Sequence, residues 1–174
     1  MNRRHFLVTQ SLLVASPLAF ATSTQKVQTL NGALIWLDLL EKSTTPRATG
    51  AWPLAAVLEH LAQSIEMSMS GFPEPKSAIF QSTVGAGAFA VFKWRGKMTH
   101  ALNDPIPGAP ALTSSGSWQT SAQRLRKAIL DFDGFSGAIK PHFAYGALSK
   151  REFAQAHVFH IANHQDEIIL SALA

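Results

Sequence analysis

The sequence predicts an all-α protein, a helical bundle interrupted by one long proline-rich loop. Three observations predict it. Apolar residues recur near 3.6-residue spacing in separate segments, helix start signals precede the clearest of them, and neither an alternating strand pattern nor an internal repeat runs through the chain.

Taken in order, Thr24 to about Lys42 reads as a first helix, with Val27, Leu30, Leu34, Leu37 and Leu40 on one stripe. "STTPRATGAW" is a linker of helix breakers. A second helix starts at Trp52-Pro53, where a proline in the first turn sacrifices no hydrogen bond. Leu54, Val57, Leu58, Leu61, Ile65 and Met69 carry it to Gly71. Ser77 to about Trp94 is a third helix, apolar almost all round. Gly85 and Gly87 weaken it by up to ~1 kcal/mol each and point to close backbone packing. The same "GAGAFA" lacks the third glycine and preceding strand of a dinucleotide loop, so phosphate binding is not expected. Arg95 to Gly116 holds Pro105, Pro107 and Pro110 and no periodicity, which excludes a helix and makes it the long loop. Trp118 to Phe132 is a fourth helix. The last begins at the capping box Ser149-Lys150-Arg151-Glu152 and runs to about Leu170.

The first 21 residues read as an export signal. A basic segment with Arg3 and Arg4, then His5-Phe6-Leu7, leads into an apolar run closing on Ala19-Phe20-Ala21, an A-x-A cleavage pattern. The Arg-Arg-x-Phe-Leu order resembles a twin-arginine signal, which implies the twin-arginine export machinery as a partner and a protein folded before it leaves. The expected division is therefore signal peptide 1–21 and one domain 22–174, periplasmic or otherwise exported after cleavage near Ala21. The run is shorter than the ~20 residues that span a bilayer, so no stable membrane anchor is expected after cleavage. Cysteine is absent, which excludes disulfides, a thiol nucleophile, thiolate metal ligands and a lipoprotein anchor. Without residues 1–21, which hold two arginines and no acid, the 15 basic residues fall to 13 against 11 acidic ones. No basic block remains, so nucleic acid is not an expected partner.

Three of the seven histidines crowd into "HVFHIANH", His157 to His164. His160 and His164 are i and i+4, the separation at which two imidazoles on one helix grip one metal ion. His60, mid-helix in "AAVLEHLAQSIE" beside Ala56, Val57 and Leu61, is a histidine on an apolar face, and burying it unpaired costs a few kcal/mol. It serves as third ligand if the second and fifth helices pack together. On pattern alone, satisfied core or surface histidines remain an equal alternative.

"LEHLAQS", "PHFAYG" and "HVFHIANHQDEI", with "PIPGAP" and "FQSTVGAGAFAVFKWRGKMTH" between them, resemble the DinB-like superfamily of metal-binding four-helix bundles, and more closely an uncharacterised branch of it. The resemblance covers roughly residues 30–172. It implies a DinB-like four-helix bundle with a metal triad at His60, His160 and His164. It also implies a divalent ion, zinc or nickel, with open positions for water or substrate. Relatives often carry glutamine three residues after the last histidine, where this chain has Glu167, either a partner orienting His164 or an exposed charge. His157, one turn before the pair, reads as a neighbour that tunes the site or donates a hydrogen bond, with a ligand role as the alternative. His100, in the long loop, and His142, before Phe143, are candidate pocket residues, with ordinary solvated or turn histidines the favoured alternative, and Glu59 and Glu66 read as solvated charges.

Two functions compete. One is a divalent-metal-dependent transferase or hydrolase acting on a small molecule. Relatives include thiol-dependent transferases and an isomerase, although an exported protein meets a different thiol pool. The other is a non-catalytic metal- or ligand-binding protein of the cell envelope, a reading that the lack of a general-base signature beside His60 favours slightly. A purely structural bundle with histidines as polar fillers is a third. The sequence leaves the oligomeric state open, a homodimer included.

Overall fold

Four of the expected helical segments end up sharing one core. The computed structural model describes residues 25–112 and 116–170, and the expected export signal at residues 1–21 lies outside the described residues. The chain is mainly helical. Helix α1 spans Leu30–Lys42, α2 Leu54–Ser70, α5 Trp118–Gly134 and α6 Lys150–His164. Between α2 and α5 lie the short α3 Ala78–Phe80, a π-helical turn at Gln81–Gly85, and α4 Ala86–Arg95.

Apolar stripes of α1, α2, α5 and α6 meet in that core. Leu37 and Leu40 of α1, Leu58 and Leu61 of α2, Leu125 and Phe132 of α5, and Phe153 and Ile161 of α6 are all essentially sealed from water. Burial of side chains this large contributes roughly 1.5–3 kcal/mol each. Helix α2 packs against both α5 and α6. Two arginines on α5 brace the outside. Arg124 makes a two-pronged bond to Glu66 at 3.0 and 2.8 Å and reaches Glu59 at 3.4 Å, so these two acids are docking partners and not free solvated charges. Arg126 pairs with Asp38 and Glu41 of α1.

Both ends of the chain's core depart from the sequence reading, and for one reason. The first helix starts at Leu30 and not at Thr24. Thr29 is its N-cap, accepting from the Gly32 amide at 2.9 Å. Residues 25–28 are instead strapped along the end of α6. The Val27 amide donates to Gln165 at 2.8 Å, Lys26 reaches the Ala162 carbonyl, and Val27 itself is buried. The last helix stops at His164 and not near Leu170. A 3₁₀ turn at Gln165–Glu167 follows, then strand β2, Ile168–Ile169. That strand pairs antiparallel with β1, Arg47–Ala48, in the breaker-rich linker, with Arg47 opposite Ile169 and Ala48 opposite Ile168. The Thr49 amide extends the ribbon by donating to the Glu167 carbonyl at 2.7 Å. Two β-branched residues that fit the helical pattern find cross-strand partners instead.

The third predicted helix is split by the π-helical turn and contributes only Gly85 and Phe89 to the interior. Gly85 sits so close to the 142–146 turn that a Cβ there would lie 1.8 Å from the Ala144 carbonyl oxygen, whereas Gly87 faces open space. Backbone contact therefore explains the first glycine and not the second. The loop after Arg95 carries no helix or strand among its described residues, as its prolines predict.

Candidate metal centre

Helices α2 and α6 run beside one another so that His60 meets His160 and His164. The ring centroids of these residues lie 4.9 Å (His60–His160), 5.2 Å (His60–His164) and 5.0 Å (His160–His164) apart. One ring nitrogen from each falls within 4.8 Å of the other two. His60 is in the second turn of α2 on the face that also buries Val57 and Leu61. The α6 pair follows Phe153 and Ile161 onto the core side. The capping box forms as the sequence predicts: the Ser149 hydroxyl accepts from the Glu152 amide and the Glu152 carboxylate from the Ser149 amide, fixing where α6 begins.

The ring nitrogens lie close enough together to hold a cation. Nε2 of His60 and Nε2 of His160 face each other at 3.1 Å. Two nitrogens bound at about 2.0–2.1 Å to one tetrahedral zinc stand at nearly that separation. Nε2 of His164 is buried without any hydrogen-bond partner. Its Nδ1 lies 2.6 Å from Oε1 of Glu167, which is itself buried. With Nδ1–H donating to the carboxylate, the lone pair of His164 is held on Nε2, the unpartnered side. Glu167 thus takes the orienting role. Nδ1 of His160 lies 3.3 Å from the Ser64 hydroxyl, which helps to position that ring and can accept its Nδ1–H.

Burial keeps all three rings neutral. It lowers His60 to about 4 and His164 to about 3, with neighbouring imidazoles adding to the effect. His160 is pushed well below its ordinary value by the same causes. Neutral imidazole is the form that binds metal. Ring nitrogens of three neutral imidazoles, all within 4.8 Å of one another, are close enough to hold a divalent ion.

The structure also places the histidines that spacing left unassigned. His157 stays out of the cluster. Its Nε2 lies 3.2 Å from the Ser68 hydroxyl, and its ring stands edge-on to Phe132. His142 is not an ordinary turn histidine. Its Nδ1 accepts from the amides of Ala144 and Tyr145 at 3.1 and 3.2 Å, its ring stacks on Tyr145 at 4.2 Å, and it lines a cavity of about 390 Å³ beside the cluster. Burial pushes it down to about 3, so its single proton sits on Nε2. His100 is not an ordinary loop histidine either. Its ring is 4.8 Å from His160 and 5.4 Å from His164. The remaining cavity wall is apolar at Met98, Ile106, Phe143 and Tyr145, with Lys76 and Asp104 as its charged groups.

Fold and site together define a mainly helical protein in which three buried histidines from two helices lie close enough to hold a metal ion. The chain belongs to the family described as a protein of unknown function, DUF1569, whose model matches residues 22–170. No curated protein and no solved structure matches it.

Proposed function

We propose that this protein is an exported, divalent-metal-dependent enzyme, a transferase or hydrolase acting on a small molecule. In this reading His60, His160 and His164 hold zinc or nickel, and the fold is a DinB-like four-helix bundle. The observation that carries it is the convergence of three neutral imidazoles, one with an unpartnered buried Nε2, beside a cavity of about 390 Å³. That volume lies within the ~300–1,000 Å³ typical of small-molecule sites. A divalent ion with three neutral ligands keeps its full charge and supplies Lewis acidity to whatever enters the cavity.

The chain's own residues do the rest. Glu167 and Ser64 orient His164 and His160. Met98, Ile106 and Phe143 exclude water and favour a partly apolar substrate. Lys76 and Asp104 offer one charge of each sign to its polar ends. His142 presents a neutral ring whose proton is fixed on Nε2 by two amide bonds to Nδ1.

The non-catalytic binding reading differs only in whether the cavity turns over its ligand. Among the described residues no helix is long and apolar enough to cross a membrane. The proposal of export rests on the leader sequence, and size analysis of the precursor with Arg3 and Arg4 changed to lysine tests it.

The test of the site is metal analysis of purified wild type and His160→Ala, followed by a screen of the metal-loaded protein with hydrolysable esters and with thiol–electrophile pairs. One ion per chain, lost in the variant, with turnover that follows the metal, supports the proposal. Wild type that retains no ion at any tested metal concentration ends it. An ion without turnover leaves the binding protein.

A further inference from the structure

The His100 ring packs against the same two rings as His60, although its nitrogens lie outside the 4.8 Å grouping formed by those of His60, His160 and His164. Its centroid distances of 4.8 and 5.4 Å bracket the 4.9–5.2 Å found within the triad. Its two nitrogens have separate fates. Nδ1–H donates to the Ala101 carbonyl of its own loop at 2.7 Å, which leaves the lone pair on Nε2. That Nε2 is fully buried and has no partner. A buried acceptor with nothing to accept costs about 1–3 kcal/mol, and the ring stands against the neutral imidazoles of His160 and His164, with the Asp104 carboxylate also near enough to act on it.

The loop that carries it is fastened to both ligand-bearing helices. Asn163 of α6 reaches the His100 carbonyl at 3.4 Å, and Gln63 of α2 donates to the Pro110 carbonyl at 3.0 Å. Met98 and Ile106, on either side, are buried. The long loop is therefore held against the cluster, and His100 is the residue it delivers there.

We propose that His100 is a fourth, loop-borne metal ligand, binding through Nε2. This rests on the triad holding an ion and goes beyond it. With a fourth imidazole the ion binds the loop to the bundle and has one fewer position for water. The Asp104–Pro107 wall of the cavity belongs to the same loop, so the ion also holds that wall in place.

The experiment is X-ray absorption at the zinc edge, with zinc titration against a competing chelator. It compares wild type, His100→Ala, His100→Gln and His160→Ala, each checked for native helicity by circular dichroism. Four imidazoles are expected in wild type, and three with an added oxygen ligand in both His100 variants. Residues that merely orient metal ligands are worth about 10–100-fold in affinity, so losing a direct ligand should weaken zinc by about tenfold or more. Three imidazoles in wild type, or the same count and affinity in the His100 variants, overturns the assignment while the triad stands. Wild type that binds no stoichiometric zinc, or His160→Ala that binds as well as wild type, removes the triad and His100 together.

Discussion

Acidifying the metal-free protein from about pH 7.5 to about pH 5 should cost roughly 2 kcal/mol through His157 alone. Burial, reinforced by His142, lowers this ring from 6.5 to about 3 in the folded state. Between those values the unfolded chain binds a proton at this position and the native chain does not. Stability from a lowered histidine is therefore complete above 6.5 and drains away as pH falls toward 3. In that window it changes by about 1.4 kcal/mol per pH unit, and about 1.5 units of it lie above pH 5. The surroundings suggest the replacement to use. The Ser68 hydroxyl already donates to the Ile65 carbonyl at 2.6 Å, so it serves His157 as acceptor only, and the ring lies between Phe132 and Phe153. His157→Phe should thus stay within about 1 kcal/mol of wild type near neutrality. Urea denaturation of both proteins in chelator at several pH values measures the difference. The wild type should lose about 2 kcal/mol more than the variant by pH 5, because burial, the largest cause of the other histidines' shifts, is common to both proteins. Parallel stability profiles would refute the reasoning, since they mean that His157 takes up a proton in the folded protein as readily as in the unfolded chain.

Other perturbations follow from the same contacts. Glu167→Gln should keep the size of the group near Gly50 but weaken its hold on the His164 Nδ1–H, lowering zinc affinity by about 10–100-fold in a chelator competition. Unchanged affinity would show that the carboxylate does nothing for the ring. Gly85→Ala drives a methyl into the Ala144 carbonyl and should destabilise the protein by about 1–3 kcal/mol in thermal or denaturant melts. Gly87→Ala, facing open space, is the control and should be neutral or slightly stabilising.

The helical character, the core faces and the triad's three positions were legible because periodicity and i, i+4 spacing are local properties. His160 and His164 share a face whatever else the chain does, and His60 stood out as a polar group among Val57, Leu61 and Ala56. What was not legible depends on contacts between distant segments. Residues 25–28 have helical spacing, yet Gln165 takes the Val27 amide, a pairing about 138 positions apart. Ile168 and Ile169 continue the apolar pattern of α6 until Arg47 and Ala48 offer them a strand partner. His100 stood out as a pocket candidate, but its place beside the cluster was not legible, for the same reason. A histidine in a proline-rich loop has no periodicity to betray it, and only the hold of Gln63 and Asn163 on that loop brings it to the cluster. The loop's unusual length was the one available signal.

Helix α6 is pinned at both extremities, by its serine–glutamate box at the start and by the Thr49–Glu167 bond just past its end. Removing one residue between these anchors would turn everything beyond the deletion by about 100° around the axis. His160 and His164 would then point at their neighbours' backbones or at solvent. Length variation should accordingly be forbidden inside this helix. The stretch between Arg95 and Trp118, by contrast, can gain or lose residues wherever the reach to His100 is preserved.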